Sequence, residues 1–138
     1  VSLFARLAKQ GQSIPVYEDG QIVRDFVFID DVASAIVAGV LHSPGAALPY
    51  DIGLGERTTI MQVAQTIAGH YGAPAPHVTG QFRDGDVRAA WADTTHARQA
   101  LDWEPRVGVA EGINRLCDWI DAQDGAVPPA PTSTVKEA

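Results

Sequence analysis

Hydrophobic positions change period several times along the first third of the chain. Leu3, Phe4, Leu7 and Ala8 recur at helical spacing, which predicts a helix over residues 1–10 with Gly11 just past its end. Ile14 to Tyr17 is a short extended piece, and Pro15, which has no N–H to give a ladder, makes it an edge or irregular strand. Val23 to Ile29 is rich in β-branched and aromatic residues and reads as a short strand entered through the Asp19-Gly20 turn. Asp30 and Asp31 stand where a helix N-cap belongs. The helix after them, about residues 31–41, is apolar over most of its circumference, so it should be buried on more than one side.

The same reading continues past a Ser43-Pro44-Gly45 loop. Leu48 to Ile52 is a short strand and residues 53–57 a loop. Thr59 and Gln62 match a capping box, and the helix they open carries Ile60, Val63, Ala64, Ile67, Ala68 and Tyr71 on one face until Gly72. Residues 73–88 look irregular, Trp91 to Asp93 briefly extended, and Asp93 or Thr94 caps a short helix through Leu101. Trp103 to Pro105 is a turn. A last helix over 109–122 turns Val109, Ile113, Leu116, Cys117 and Ile120 inward, and the proline-containing residues 124–138 form a disordered tail. Strands alternating with helices make the class α/β, of an α+β-like kind. The strands are too few and too short for a complete doubly wound sheet. The chain opens at Val1 inside a helix-like run, and its most apolar helix needs a cover. Both features lead us to expect a piece of a larger protein, a folded domain over 1–123 followed by the tail.

Composition narrows the possible partners. A chain of 138 residues with net charge −7 has room for one core and no basic field for nucleic acid or an anionic membrane. Its single cysteine, Cys117, excludes an intrachain disulfide framework and fits a reducing compartment. No apolar run approaches a membrane span and no signal peptide is visible, so the expected location is cytoplasmic.

Few residues fit a recognisable chemical motif. His42 and His70 lie near helix C-termini, where the helix dipole favours a cation. His77 and His96 have no nucleophile motif beside them in the sequence. Asp84-Gly-Asp86 lacks the further carboxylates of a calcium loop, and no Cys/His spacing fits zinc. The Gly53-Leu-Gly55 turn lacks the third glycine of a dinucleotide fingerprint. The arginines remain. Arg24 lies in an apolar strand, where it either snorkels to water or meets an anion, and Arg83 lies in a loop rich in Gly and Asp. Two guanidinium groups from separate segments can fork onto a diphosphate, with Asp86 nearby to accept from sugar hydroxyls. Equally, such arginines pair with local carboxylates, and Asp25, Asp84 and Asp86 are all at hand.

Five segments in order resemble one family. They are residues 16–33 (Val16-Tyr-Glu-Asp-Gly through Asp30-Asp-Val-Ala33), Tyr50-Asp-Ile-Gly-Leu-Gly55, Phe82-Arg-Asp-Gly-Asp-Val-Arg88, Ala92-Asp93 and Leu101-Asp-Trp-Glu-Pro105. Together they are similar to the C-terminal, substrate-gripping part of the extended short-chain dehydrogenase/reductase family of nucleotide-sugar epimerases and dehydratases, Rossmann-type enzymes of the UDP-glucose 4-epimerase kind. The resemblance covers about residues 1–122. It implies that backbone near Val16 and Tyr17 meets the base of a UDP- or dTDP-hexose, that Arg24 and Arg83 hold the diphosphate, and that Asp86 meets the ribose. It further implies a parent enzyme that uses NAD at hexose C4. The family's Gly-rich fingerprint and Tyr-x-x-x-Lys pair are not among these residues, so this chain alone is expected neither to hold NAD nor to catalyse. A non-catalytic nucleotide-sugar-binding module or an inert remnant are the alternatives, and a homodimer is expected if the apolar helix stays uncovered. Two departures stand out. Glu18 occupies a position where many members have glycine, and Ala90 one where some epimerases have tyrosine.

Overall fold

The computed structural model describes residues 1–42 and 49–123. The expected loop at 43–45, the first residue of the expected 48–52 strand and the expected tail at 124–138 lie outside them. Helix α1 spans Ser2–Lys9, with Gln10 as its C-cap and Gly11 at φ +70° just beyond. Strand β1 (Pro15–Val16) pairs parallel with β4 (His77–Val78). The N–H groups of His77 and Thr79 donate to the carbonyls of Ile14 (3.0 Å) and Val16 (2.9 Å), so Pro15 sits between two acceptors and its missing donor leaves no gap there. Residues 77–78, inside the stretch expected to be irregular, are therefore a strand. Their only sequence mark is a His-Val-Thr run too short to read.

Strand β2 is shorter than expected. It covers Val23–Arg24, antiparallel to β3 (Thr58–Thr59), with a parallel bridge from Val23 to Ala89. Helix α2 already begins at Ile29 and runs to His42. Asp30 and Asp31 are thus in its first turn and not at its N-cap, and the Phe28 carbonyl receives the N–H groups of Asp31 and Val32. The Asp31 side chain is 3% exposed and reaches across the fold, accepting from the backbone N–H of Arg106 and Val107, each at 3.0 Å. Residues 49–52 and 91–93 form no strand either. Among the described residues they have no ladder partner, and an extended stretch without one stays coil.

Helix α3 (Ile60–Tyr71) carries the expected capping box: Thr59 Oγ1 accepts from Gln62 N and the Gln62 side chain accepts from Thr59 N. Gly72 ends it in the left-handed conformation at φ 62°. Helix α4 (Thr95–Leu101) starts after Thr94, and it is Asp93 Oδ1 that accepts the Thr95 N–H, at 3.0 Å. Helix α5 spans Val109–Ala122 and buries Ile113 and Cys117.

Two apolar clusters hold these elements. In the larger, α3 packs between α1, α5 and β1 through Ala5, Ile14, Val16, Ile67, Ile113 and Cys117. Burial raises the Cys117 thiol pKa above its usual range. In the smaller, Ala35 of α2 meets Ala97, Leu101 and Trp103, and the Trp103 indole N–H donates to Ser34 Oγ at 2.8 Å. Among the described residues, helix α2 is covered on one side only. Ile29, Ile36, Val37, Val40 and Leu41 are 57–80% exposed, so the burial expected all around it is not supplied by the described residues.

Candidate functional site

A cleft of about 280 Å³ opens where α1, β1, β2, the start of α3 and the 82–88 loop meet. Its apolar walls come from Leu3, Phe4, Ile22 and Ile60, and its polar rim from Tyr17, Arg24, Arg83 and Asp86. Four of the five candidate residues named from the sequence therefore share one cleft, although Arg24 and Asp86 are 62 positions apart. Val16 is the exception. Its side chain is 1% exposed in the core, and its carbonyl is engaged by Thr79 through N (2.9 Å) and Oγ1 (3.3 Å), so it does not line the cleft. Strand residues alternate in direction, which puts Tyr17 outward where Val16 is inward.

In the fold Arg24 pairs with one of the local carboxylates. Its Nη1 donates to the Val23 carbonyl at 2.8 Å, and its Nη2 forms an ion pair with Asp86 Oδ1 at 3.0 Å. A guanidinium has five N–H donors, so donor capacity remains at the cleft. Arg83 lies over the Tyr17 ring, 5.9 Å from guanidinium carbon to ring centroid, and among the described residues it has no carboxylate partner. Asp25, also available on paper, pairs with no arginine among the described residues. Its carboxylate instead accepts the backbone N–H groups of Leu54 (2.8 Å), Gly55 (3.0 Å) and Ala92 (3.1 Å). It thereby ties the residue next to Arg24 to two loops.

Sequence reasoning assigned no role to Arg88, the most heavily engaged cation at this end of the molecule. Its guanidinium bonds Glu18 Oε2 at 2.6 Å and Asp19 Oδ2 at 2.5 Å. The Arg88 bond, helped by the Gln21 N–H, holds the Asp19 carboxyl down to about 2. Glu18, the departure from glycine, keeps a glycine-like backbone at φ 52° and turns its carboxylate onto Arg88. Charge could have flagged the pair, since Glu18-Asp19 and Arg88 are the unlike charges flanking the two site segments, but nothing local brings positions 70 apart together.

The histidines take separate positions. His70 Nδ1 is 3.2 Å from Asn114 Oδ1 near the end of α3, and the His96 ring stacks on Tyr50 with centroids 5.0 Å apart. His77, which has no serine beside it in the sequence, is brought to Ser13: Oγ lies 2.8 Å from Nδ1 while also donating to the Ala75 carbonyl. Among the described residues no three His, Cys, Asp or Glu side chains converge as metal ligands, and no helix is long and apolar enough to cross a membrane.

Comparison with known proteins gives the chain a family. A family model described as GDP-mannose 4,6 dehydratase matches residues 1–116. The chain belongs to this family. It is 51% identical over 120 residues to the dTDP-L-rhamnose 4-epimerase of Burkholderia thailandensis, covering 87% of this chain and 33% of that protein. It is 35% identical over 120 residues to the UDP-glucose 4-epimerase of Mycolicibacterium smegmatis, covering 86% and 38%. Among solved structures, the UDP-glucose 4-epimerase of Thermotoga maritima, determined with UDP-glucose, superposes with a TM-score of 0.80 at 29% identity, over 88% of this chain and 39% of that one. The dTDP-glucose 4,6-dehydratase of Bacillus anthracis, in complex with NAD, gives 0.75 at 25% identity over 89% and 39%. The family's relatives are thus nucleotide-sugar epimerases and dehydratases of Rossmann type, as the five segments suggested. The chain spans 33–38% of the length of these two curated relatives.

Proposed function

We propose that this chain binds the nucleoside diphosphate of a nucleotide sugar, a UDP- or dTDP-hexose, as part of an NAD-dependent epimerase or dehydratase acting at hexose C4. The observation that carries the reading is the joining of Tyr17, Arg24, Arg83 and Asp86 on one cleft from segments far apart in sequence. Arg24 and Arg83 supply forked, permanently charged donors for the diphosphate. Asp86 supplies acceptors for ribose hydroxyls, and the Tyr17 ring with the apolar wall of α1 supplies a surface for the base. The Arg24–Asp86 pair holds both groups in place beforehand, so less side-chain freedom is lost on binding.

The glycine turn at residues 53–55 offers no dinucleotide cradle. A dinucleotide cradle needs free backbone N–H groups and an open glycine turn. At Gly53-Leu54-Gly55 the Leu54 and Gly55 N–H groups already serve Asp25, and a Cβ on Gly53 would stand 2.5 Å from Asp25 Oδ2. The turn is filled by protein. In this reading NAD is held by other residues of the whole enzyme, and this chain contributes the grip on the nucleotide and leaves the hexose outside that grip.

Titration calorimetry with UDP and dTDP tests the reading. Each of Arg24→Ala and Arg83→Ala removes charge-assisted bonds of about 1.5–3 kcal/mol and should weaken binding by about 10- to 100-fold. Equal heats for the parent chain and both variants, in samples whose melting curves show them folded, would overturn it.

A further inference from the structure

The turn that carries Tyr17 is anchored unevenly. At its far end Gly20 is fixed to α3, where its carbonyl accepts the Met61 N–H at 3.1 Å and Met61 Cε would lie 3.0 Å from any Cβ placed on it. At its near end Glu18 sits at φ 52°, a left-handed conformation that costs a residue with a Cβ about 1–2 kcal/mol. Two contacts oppose that cost, and both come from the segment bearing Arg83 and Asp86. The Gln81 carbonyl accepts the Glu18 N–H at 2.7 Å, and Arg88 grips the carboxylates of Glu18 and Asp19 with separate nitrogens at 2.6 and 2.5 Å. Arg88 is itself fixed, because its carbonyl accepts the Val23 N–H at 3.0 Å, one residue before Arg24.

We propose that Arg88 is the positioning residue of the nucleotide cleft, clamping the 17–20 turn against the 81–88 loop so that Tyr17, Arg83 and Asp86 face one ligand. The proposal rests on the nucleotide-binding reading above and adds a residue that does not line the cleft. Arg88 is half exposed, and an exposed ion pair adds little to global stability. Its contribution is local order at a strained backbone position. A glycine at 18 adopts the left-handed conformation without a Cβ penalty, so the clamp is required because residue 18 is glutamate.

That dependence gives the test. In UDP titrations Arg88→Ala should weaken binding by about 5- to 30-fold, the factor corresponding to the released strain. Arg88→Lys, which keeps the charge and loses the two-pronged geometry, should fall between. The double variant Arg88→Ala with Glu18→Gly should regain most of the affinity. Amide exchange read without ligand should accelerate at residues 18–20 and 81–88 in Arg88→Ala while α3 amides keep their protection. Unchanged affinity in Arg88→Ala, or a double variant as weak as the single one, would overturn the proposal, the second outcome meaning that Arg88 acts on the ligand directly. A parent chain that is folded and binds no UDP removes the nucleotide reading instead. The exchange pattern then still decides whether the clamp exists, and unchanged exchange would sink it.

Discussion

Replacing Asp31 should be among the most damaging single changes in this chain, and Asp30 beside it supplies the control. Both carboxylates stand in the first turn of α2, where a negative charge is worth about 0.3–1 kcal/mol against the helix dipole. Only Asp31 does more. It is 3% exposed and accepts two backbone N–H groups, from Arg106 and Val107 at 3.0 Å each. Hydrogen bonds to a charged group contribute about 1.5–3 kcal/mol each, and the Val107 N–H would be left buried without an acceptor. The Ala variant should therefore lose about 3–5 kcal/mol, a large share of the 5–15 kcal/mol typical of a domain. Asp31→Asn keeps one acceptor and turns an NH₂ toward the other donor, so it should lose about 1.5–3 kcal/mol. Asp30→Ala, exposed and without a side-chain hydrogen bond among the described residues, should lose under about 1 kcal/mol. Urea unfolding measures all three as shifts in midpoint at constant slope. If Asp31→Ala fell within about 1 kcal/mol of Asp30→Ala, the cross-fold bonds would not carry the stability assigned to them here.

Two further outcomes follow from other parts of the fold. Burial, with the Cys117 thiol and the Asp121 carboxylate beside it, pushes the Tyr71 phenol well above its usual range, and its hydroxyl donates to the Cys117 carbonyl (3.2 Å) and Asp121 (3.1 Å). A raised pKa means stability that is complete below the ordinary tyrosine value of about 10 and is lost above it, so thermal melts should fall above that pH in the parent chain and less steeply in Tyr71→Phe; parallel slopes would contradict the assignment. The uncovered side of α2 should drive self-association, so light scattering should give a mass that rises with concentration and falls toward monomer in Ile36→Lys and Val40→Lys, whereas a parent chain monomeric throughout would refute the expectation.

What could be read in advance depended on whether the cause was local. The helices were legible because apolar spacing and capping chemistry lie within a few residues; Thr59 and Gln62 announce α3 on their own. The short strands were not. The strand-like side chains of Phe26, Val27 and Phe28 predict a longer β2, yet after Arg24 they find no ladder partner among the described residues and α2 starts at Ile29. Capping is the local use the sequence offers for the two aspartates before Val32, whereas Asp31 is used at a distance of 75 positions. The candidate site shows the same division. From residue types alone Arg24 and Arg83, with Asp86 nearby, suggest an anion site or a set of local ion pairs, and the family resemblance is needed to join them to Val16 and Tyr17. Neither could show that Val16 faces inward, that Asp25 serves backbone N–H groups, or that Arg88 closes on Glu18.

The spacing of these contacts bears on how the chain folds. Among the described residues, the polar links between the 18–24 segment and the 81–88 loop join residues 62 to 70 positions apart, from Arg24–Asp86 to Arg88–Glu18. Closing so long a loop costs entropy that only the final contacts return. The capped α3, by contrast, needs nothing beyond its own neighbours to start. Order should therefore spread outward from α3 with its packing against α1 and α5, and the two sides of the cleft should meet last. In refolding followed residue by residue, protection should reach α3 first and the Glu18 amide late.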